Sequence, residues 1–252
     1  MIMLDPRAAA AGMRLVAHEV LDSTNAHALK LARQGERGPV WIVADRQTAG
    51  RGRRGRVWIS EPGNLFATLL LTAAAPPEHR PQLSLVTALA LHDAVVEIAP
   101  GLKPRIAIKW PNDLLLDRAK FAGILVEGEA GEEGAVAIGV GVNCASHPQD
   151  TGHATTHLAT ADISISPAVL MGPLPVKMIG RLAQWNGGEG FSTIRADWMA
   201  RAAALGEEVR VRLIDGELSG IFEELDESGN LLLRLAGGHF ETIAAADLVI
   251  LS

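Results

Sequence analysis

Apolar and polar residues alternate along this chain with two different periods, and the switches between them mark out its elements. RLVAHEV (14–20) reads as a strand; LDSTNAHALKLARQG then sets apolar positions at helical spacing, with Asp22 and Ser23 as possible N-caps and Gly35 as the stop. VWIVAD (40–45) predicts a buried strand, and after a loop rich in glycine and arginine, VWIS (57–60) and NLFATLLL (64–71) predict a hairpin around Glu61-Pro62-Gly63. QLSLVTALALHDAVVEI (82–98) is apolar nearly all round, which predicts a deeply packed helix ended by Pro100-Gly101. RIAIKW (105–110), DLLLD (113–117), KFAGILVEGE (120–129) and GAVAIGVGVN (134–143) are strands separated by short polar turns and predict an antiparallel meander.

From Ala145 to about Ser166 the chain turns to His, Thr, Ser, Asp and Pro, an irregular excursion with helical patches, and two helices are expected near 167–185 and 191–205. Beyond Gly206, apolar and polar residues alternate again, punctuated by Asp215-Gly216, Ser228-Gly229-Asn230 and Gly237-Gly238. That predicts a small all-β module of four or five strands, the size of an SH3-like barrel, so the expected division is 1–205 and 206–252.

With 252 residues and 48% hydrophobic composition, the chain can bury a sizeable core, which excludes a disordered protein. A net charge of −6 argues against a general nucleic-acid binder. Cys144 is the only cysteine, so no internal disulfide and no cysteine zinc cluster can form, and a reducing compartment fits best. Asp5, Arg7 and Arg14 interrupt any signal-like apolar stretch at the start, and the longest apolar run, 65–75, is too short for a bilayer; the cytoplasm is the expected location.

Against the acidic background stands GRGRRGR (50–56). Its glycines match the letter of the dinucleotide fingerprint, but a strand rather than a helix is expected next, and no Asp or Glu lies between Glu61 and Glu78 to hold a ribose. A solvated arginine loop needs no ligand; an anion clamp, in which glycines fold the loop over a ligand and guanidiniums grip its oxygens, uses the arginines better. KWPNDLLL (109–116) offers Lys109, Asn112 and Asp113 at a strand end, where Lys and Asp can hold a phosphate and its Mg²⁺, or make an ordinary salt-bridged turn. Lys120 opens an otherwise apolar strand with Gly123 inside it, a place of close approach. Asp22 and Ser23 are explained by capping alone, Gln47 and Asn143 are unremarkable singly, and His147, His153 and His157 lack metal-ligand spacing.

Taken in order, DSTN, QTAGRGRRGR with Trp58 following, KWPND, KFAGILVE and GVGVN resemble the biotin–protein ligase family. Each motif is weak alone; together, in this order, they are specific. The likeness covers about 14–143 strongly and the tail more loosely. It implies an α+β fold, a mixed and largely antiparallel sheet flanked by helices and related to one class of aminoacyl-tRNA synthetases, followed by an SH3-like domain. It further implies formation of biotinyl-5′-AMP from biotin and ATP with Mg²⁺, and transfer of biotin to one lysine of a biotin carboxyl carrier protein such as that of acetyl-CoA carboxylase. Larger members carry an N-terminal winged-helix repressor domain, for which DSTN at residue 22 leaves no room. Monomer and homodimer both remain open.

By the same resemblance, Ser23, Thr24, Asn25, Gln47, Arg51, Gly52, Arg53, Lys120, Gly123 and Gly141 would serve biotin. Arg53, Arg54, Arg56, Trp58, Lys109, Asn112, Asp113 and Asn143 would serve ATP, with Asp113 toward Mg²⁺. The expected catalytic groups are Arg53, Lys109 and Lys120, which offset the repulsion between biotin's carboxylate and the α-phosphate. No nucleophilic side chain and no permanently bound cofactor are expected. Two competing readings stay open: a lipoate or octanoate ligase or transferase of the same fold, and a non-catalytic module gripping phosphate or RNA.

Overall fold

A computed structural model describes residues 2–251 apart from 73, 75, 130–133, 150, 162, 164, 214 and 215. After a short helix α1 (Pro6–Ala10), strand β1 (Arg14–Leu21) runs into helix α2 (Thr24–Arg33). Ser23 caps α2, its hydroxyl accepting from Ala26 N, while Asp22 instead accepts from the Ser23 N–H at 2.7 Å. Strands β2 (Val40–Gln47) and β3 (Leu65–Leu71) follow, then the long helix α3 (Leu83–Ile98), then β4 (Ile106–Lys109), β5 (Asp113–Leu116), β6 (Ala119–Gly128) and β7 (Val136–Val142).

These strands form one seven-stranded sheet in the order β1-β2-β3-β7-β6-β5-β4. Only β1 and β2 are parallel, since α2 carries the chain back between them; every other neighbour is antiparallel. The expected 57–60/64–71 hairpin does not form. VWIS makes a single bridge, Arg51 to Val57, and β3 pairs with β2 and β7, because its buried positions are satisfied between two long strands rather than at an edge.

Side-chain alternation divides the sheet's two faces. Leu65, Ala67 and Leu69 of β3 join the large core under α3, whereas Leu70 joins Val40, Ile42 and Ala137 in a small core under α2. Buried on nearly every side, α3 fills the large core, where each leucine contributes about 1.5–3 kcal/mol. The expected helix at 167–185 is divided at Met171-Gly172 into α4 (Pro167–Leu170) and α5 (Pro173–Trp185), since Pro173 cannot continue the preceding helix. The next, α6 (Phe191–Met199), stops six residues short of its expected end at Leu205, and Ala204 and Gly206 take positive φ as the chain reverses.

Strands β8 (Glu208–Arg212), β9 (Glu217–Leu225), β10 (Leu231–Arg234), β11 (Phe240–Ile243) and β12 (Asp247–Ile250) make an antiparallel five-stranded sheet in the order β11-β10-β9-β8-β12. The Asp215-Gly216 turn includes Asp215, which lies outside the described residues. This sheet is joined to the body by Trp110 Nε1 donating to Gly229 O at 3.1 Å and by Arg195 paired with Glu224. On the α2 side of the large sheet, the part that α2 leaves uncovered looks onto β12, and a cavity lies there.

Candidate active site

The cavity has a volume of about 670 Å³ and is walled by the ends of β4–β7, the 50–59 loop, Pro148, residues 151–155 and β12. Its floor is polar and fully paired. Thr24 N donates to Gln47 Oε1 at 2.8 Å, and Gln47 Nε2 donates to Ser60 Oγ at 3.1 Å. Buried Thr68 stands 2.8 Å from Thr24 Oγ1 and 2.7 Å from Asn25 Oδ1, while Asn25 Nδ2 donates to Leu125 O and Glu127 Oε2. Asn25 Oδ1 can only accept, so the single Thr68 proton goes there, and the amide's orientation is fixed. Gly139 makes room for it: a Cβ there would sit 2.4 Å from Asn25 Oδ1.

At the other end stands a charge cluster. Lys109 and Asp113 face each other across the β4–β5 ladder, with Nζ 3.4 Å from Oδ2, and Lys120 Nζ reaches Asp113 Oδ1 at 2.6 Å. Lys120 is there because of a β-bulge. In a regular ladder it would share the face opposite to Asp113, but the register shifts between Leu114 and Leu115, so Lys120 pairs with Leu115, which lies on Asp113's face. The extra residue, Phe121, goes into the core. Burial alone would raise the Asp113 carboxyl; Lys120 and then Lys109 outweigh it and hold the group below the ordinary carboxylate range.

The loop closes on itself as Gly52 N donates to Arg56 O at 2.7 Å and Trp58 N to Gly50 O at 2.9 Å. A single 3-10 turn, Arg53–Gly55, occupies its tip, with Arg54 left-handed at φ 55°. No α-helix follows the glycines, as expected. Arg53 is the inward residue: it donates to Asn112 Oδ1 and to Ala246 O, each at 3.1 Å, and burial draws its guanidinium below the usual range despite Asp247 and Asp113 nearby. Arg51 pairs with Glu127, and Arg56 lines the cavity's mouth, whereas Arg54 is outside the lining, turned toward Arg212 O and Asp247.

Trp58 lies across the sheet, its indole where Cβ atoms on Gly123 and Gly141 would come within 2.9 and 2.5 Å, and Lys120 Nζ is 5.4 Å from its centroid. The close approach expected at those glycines is thus made, in this structure, by an indole. Asn143 anchors the excursion, donating from Nδ2 to Thr156 O at 3.0 Å. Of the histidines, His153 lines the cavity and His147 stacks on His157, but among the described residues no three metal-ligating side chains cluster.

All the residues that the resemblance assigns to biotin or ATP, except Arg54, therefore line one cavity. Thr68, Ser60, Glu127 and Asp247 were missed. For Thr68 a signal existed, a lone polar residue inside LFATLLL; for Asp247, in AAADLVIL, none did.

A paired polar floor at one end and fixed cations at the other form a site for a small polar organic acid held beside a polyanion. The chain belongs to the biotin/lipoate A/B protein ligase family, whose profile matches residues 17–143, and the biotin protein ligase C-terminal domain profile matches 204–250. It is 45% identical over 235 residues to the biotin–[acetyl-CoA-carboxylase] ligase of Paracoccus denitrificans, covering 90% of this chain and 96% of that one. It is 34% identical over 245 residues to the bifunctional ligase/repressor BirA of Bacillus subtilis, covering 94% of this chain and 74% of that one. The solved biotin protein ligase from Aquifex aeolicus in complex with biotin and ATP superposes with a TM-score of 0.80 at 26% identity, over 94% of this chain and 99% of that one. Among the described residues no helix is long and apolar enough to cross a membrane.

Proposed function

We propose that this chain activates biotin with ATP to biotinyl-5′-AMP and passes the biotinyl group to one lysine of a biotin carboxyl carrier protein, the carrier of acetyl-CoA carboxylase. The observation that carries this reading is that the polar floor, the Lys109–Asp113–Lys120 cluster and the arginine loop all open into one cavity. In this reading residues 1–205 form the catalytic domain and 206–252 the C-terminal domain, working in the cytoplasm, where ATP is supplied.

Thr24, Asn25 and Gln47 offer the mixed donors and acceptors that a ureido ring needs, and the bonds of Thr24 to Gln47 and of Thr68 to Asn25 hold them in place before it arrives. Ser23, by contrast, caps α2 at the rim of this floor. Biotin's carboxylate oxygen attacks the α-phosphorus, the bond to the bridging oxygen breaks, and pyrophosphate leaves. Lys120, Lys109 and Arg53 lower the cost of bringing these anions together and stabilise the charge on the transferring phosphoryl group. A neutral carrier lysine then attacks the acyl carbon, the bond from that carbon to the phosphate oxygen breaks, AMP leaves with its electron pair, and the amine's proton goes to solvent. No enzyme side chain becomes acylated.

The donor set fits a Mg²⁺ that arrives on the triphosphate and keeps most of its water: Asp113 offers a carboxylate, while both its oxygens also lie close to lysines. Bound there, the ion would neutralise the leaving group's charge. Incubating the protein with ATP, Mg²⁺ and labelled biotin should leave a tightly held biotinyl-adenylate; lipoate or octanoate in biotin's place should give none. Activation of either fatty acid with no activation of biotin would reverse the assignment.

A further inference from the structure

Three of the loop's arginines, Arg53, Arg54 and Arg56, find their counter-charge on the other module. Arg56 Nη2 donates to Asp247 Oδ1 at 2.7 Å, Arg54 Nη1 lies 3.5 Å from Oδ2, and Arg53 Nη1 lies 4.0 Å from Oδ1. Around that carboxylate, the carbonyls of Arg212, Ala245 and Ala246 accept from the same guanidiniums. Asp247 opens β12, an edge strand of the C-terminal sheet whose residues 247–250 also line the cavity. The loop's apolar contact with the sheet lies at Trp58, beyond its arginines, while Val57 is 79% and Ile59 47% exposed.

One carboxylate cannot neutralise three guanidiniums, so the loop keeps its attraction for an anion in the cavity. What the carboxylate does supply is direction: without it, three like charges within four residues repel one another, and the loop loses the ionic tie to the facing wall that Asp247 makes. We infer that Asp247 is the latch of the loop, a positioning residue through which the C-terminal module holds the arginines over the cavity and sets how long an activated acid is retained. The retention half of this inference rests on the function proposed above; the latch itself does not.

Two measurements on the full chain test it. In the first, with neither biotin nor ATP present, trypsin should cut within residues 51–56 of Asp247→Asn faster than in the wild type by about tenfold or more, the scale of losing a charge-assisted contact. Asp247→Glu should restore protection. A general loosening of the tail would instead expose arginines throughout 210–234, so cleavage confined to the loop is the expected mark of a latch. In the second, adenylate release is followed as labelling of bulk lysines against labelling of the carrier, and Asp247→Asn should raise that ratio by a similar factor. If the Asn variant unfolds, Arg56→Gln breaks the same contact from the loop side. Wild-type cleavage and release in a folded Asn or Arg56→Gln variant would overturn the latch. If the wild type makes no adenylate, the proposed function falls, while the trypsin result still decides the latch.

Discussion

Two sets of cations stand around the same cavity, all of them lining it except Arg54, and they are held in different ways. Lys109 and Lys120 project from β4 and β6, on either side of β5, with side chains only 16% and 18% exposed, and share Asp113 of β5 within a single sheet. Arg54 and Arg56 project from a loop, 33% and 56% exposed, and borrow their counter-charge from a module almost two hundred residues away in sequence. Strand geometry and a bulge fix the lysines before any substrate arrives; the arginines are fixed only as long as their ion pairs last. Preorganised charge suits a transition state, and charge that can be released suits a gate. Arg53, tied both to Asn112 and to the tail, belongs partly to each set.

The contrast is sharpest at Lys120. Lys120→Ala should lower the rate of adenylate formation by about tenfold to a hundredfold, because it removes a charge-assisted contact in a desolvated site. Pyrophosphate exchange measures this step alone, and a wild-type rate would dissolve the distinction drawn here. Arg53→Gly should act differently: adenylate still forms, but it escapes and labels surrounding lysines by about tenfold more than the wild type. Strict labelling of one carrier lysine by this variant would put Arg53 with the lysines instead.

Asp113 gives the fixed set a pH signature. Its carboxyl is depressed in the folded protein, so the stability it contributes is present above the unfolded carboxylate range and is lost as pH falls through the folded value. In Lys120→Met, burial is opposed by one lysine rather than two, and acid unfolding should begin at a higher pH than in the wild type, as read from melting temperatures across the acid range. Thr68→Val, which keeps shape but strips the proton given to Asn25, should cost about 1–3 kcal/mol and raise the KM for biotin with little change in kcat. The smallest effect belongs to Arg54→Ala. Its contacts are 3.4–3.5 Å long and partly solvated, so stability should change by less than about 1 kcal/mol and activation by less than about twofold.

Legibility followed contact range. β1, α2, β2, α3 and the β4–β7 meander each repeat a period over several residues, and the structure forms them within a residue or two of their expected ends. VWIS misled because its alternation is that of a strand while its partners are not: Trp58 is turned over the glycines of β6 and β7. The bulge that brings Lys120 to Asp113 was hidden for the same reason, since one extra residue breaks the two-residue period without altering composition. Glu127 and Asp247 read as ordinary strand residues because their partners, Arg51 and the other loop arginines, are far away in sequence. The motifs could show which residues belong together; only the sheet shows which atoms they share.

Trp58 has a practical consequence. The other tryptophans of the chain, Trp41, Trp110, Trp185 and Trp198, are among its most deeply buried side chains, while Trp58 lines the cavity with its indole N–H enclosed and without a hydrogen-bond partner among the described residues. A ligand that displaces or covers that ring changes the surroundings of one fluorophore and leaves four as a constant background. The emission of the unlabelled protein can therefore count occupied sites, and in Trp58→Phe that signal should vanish.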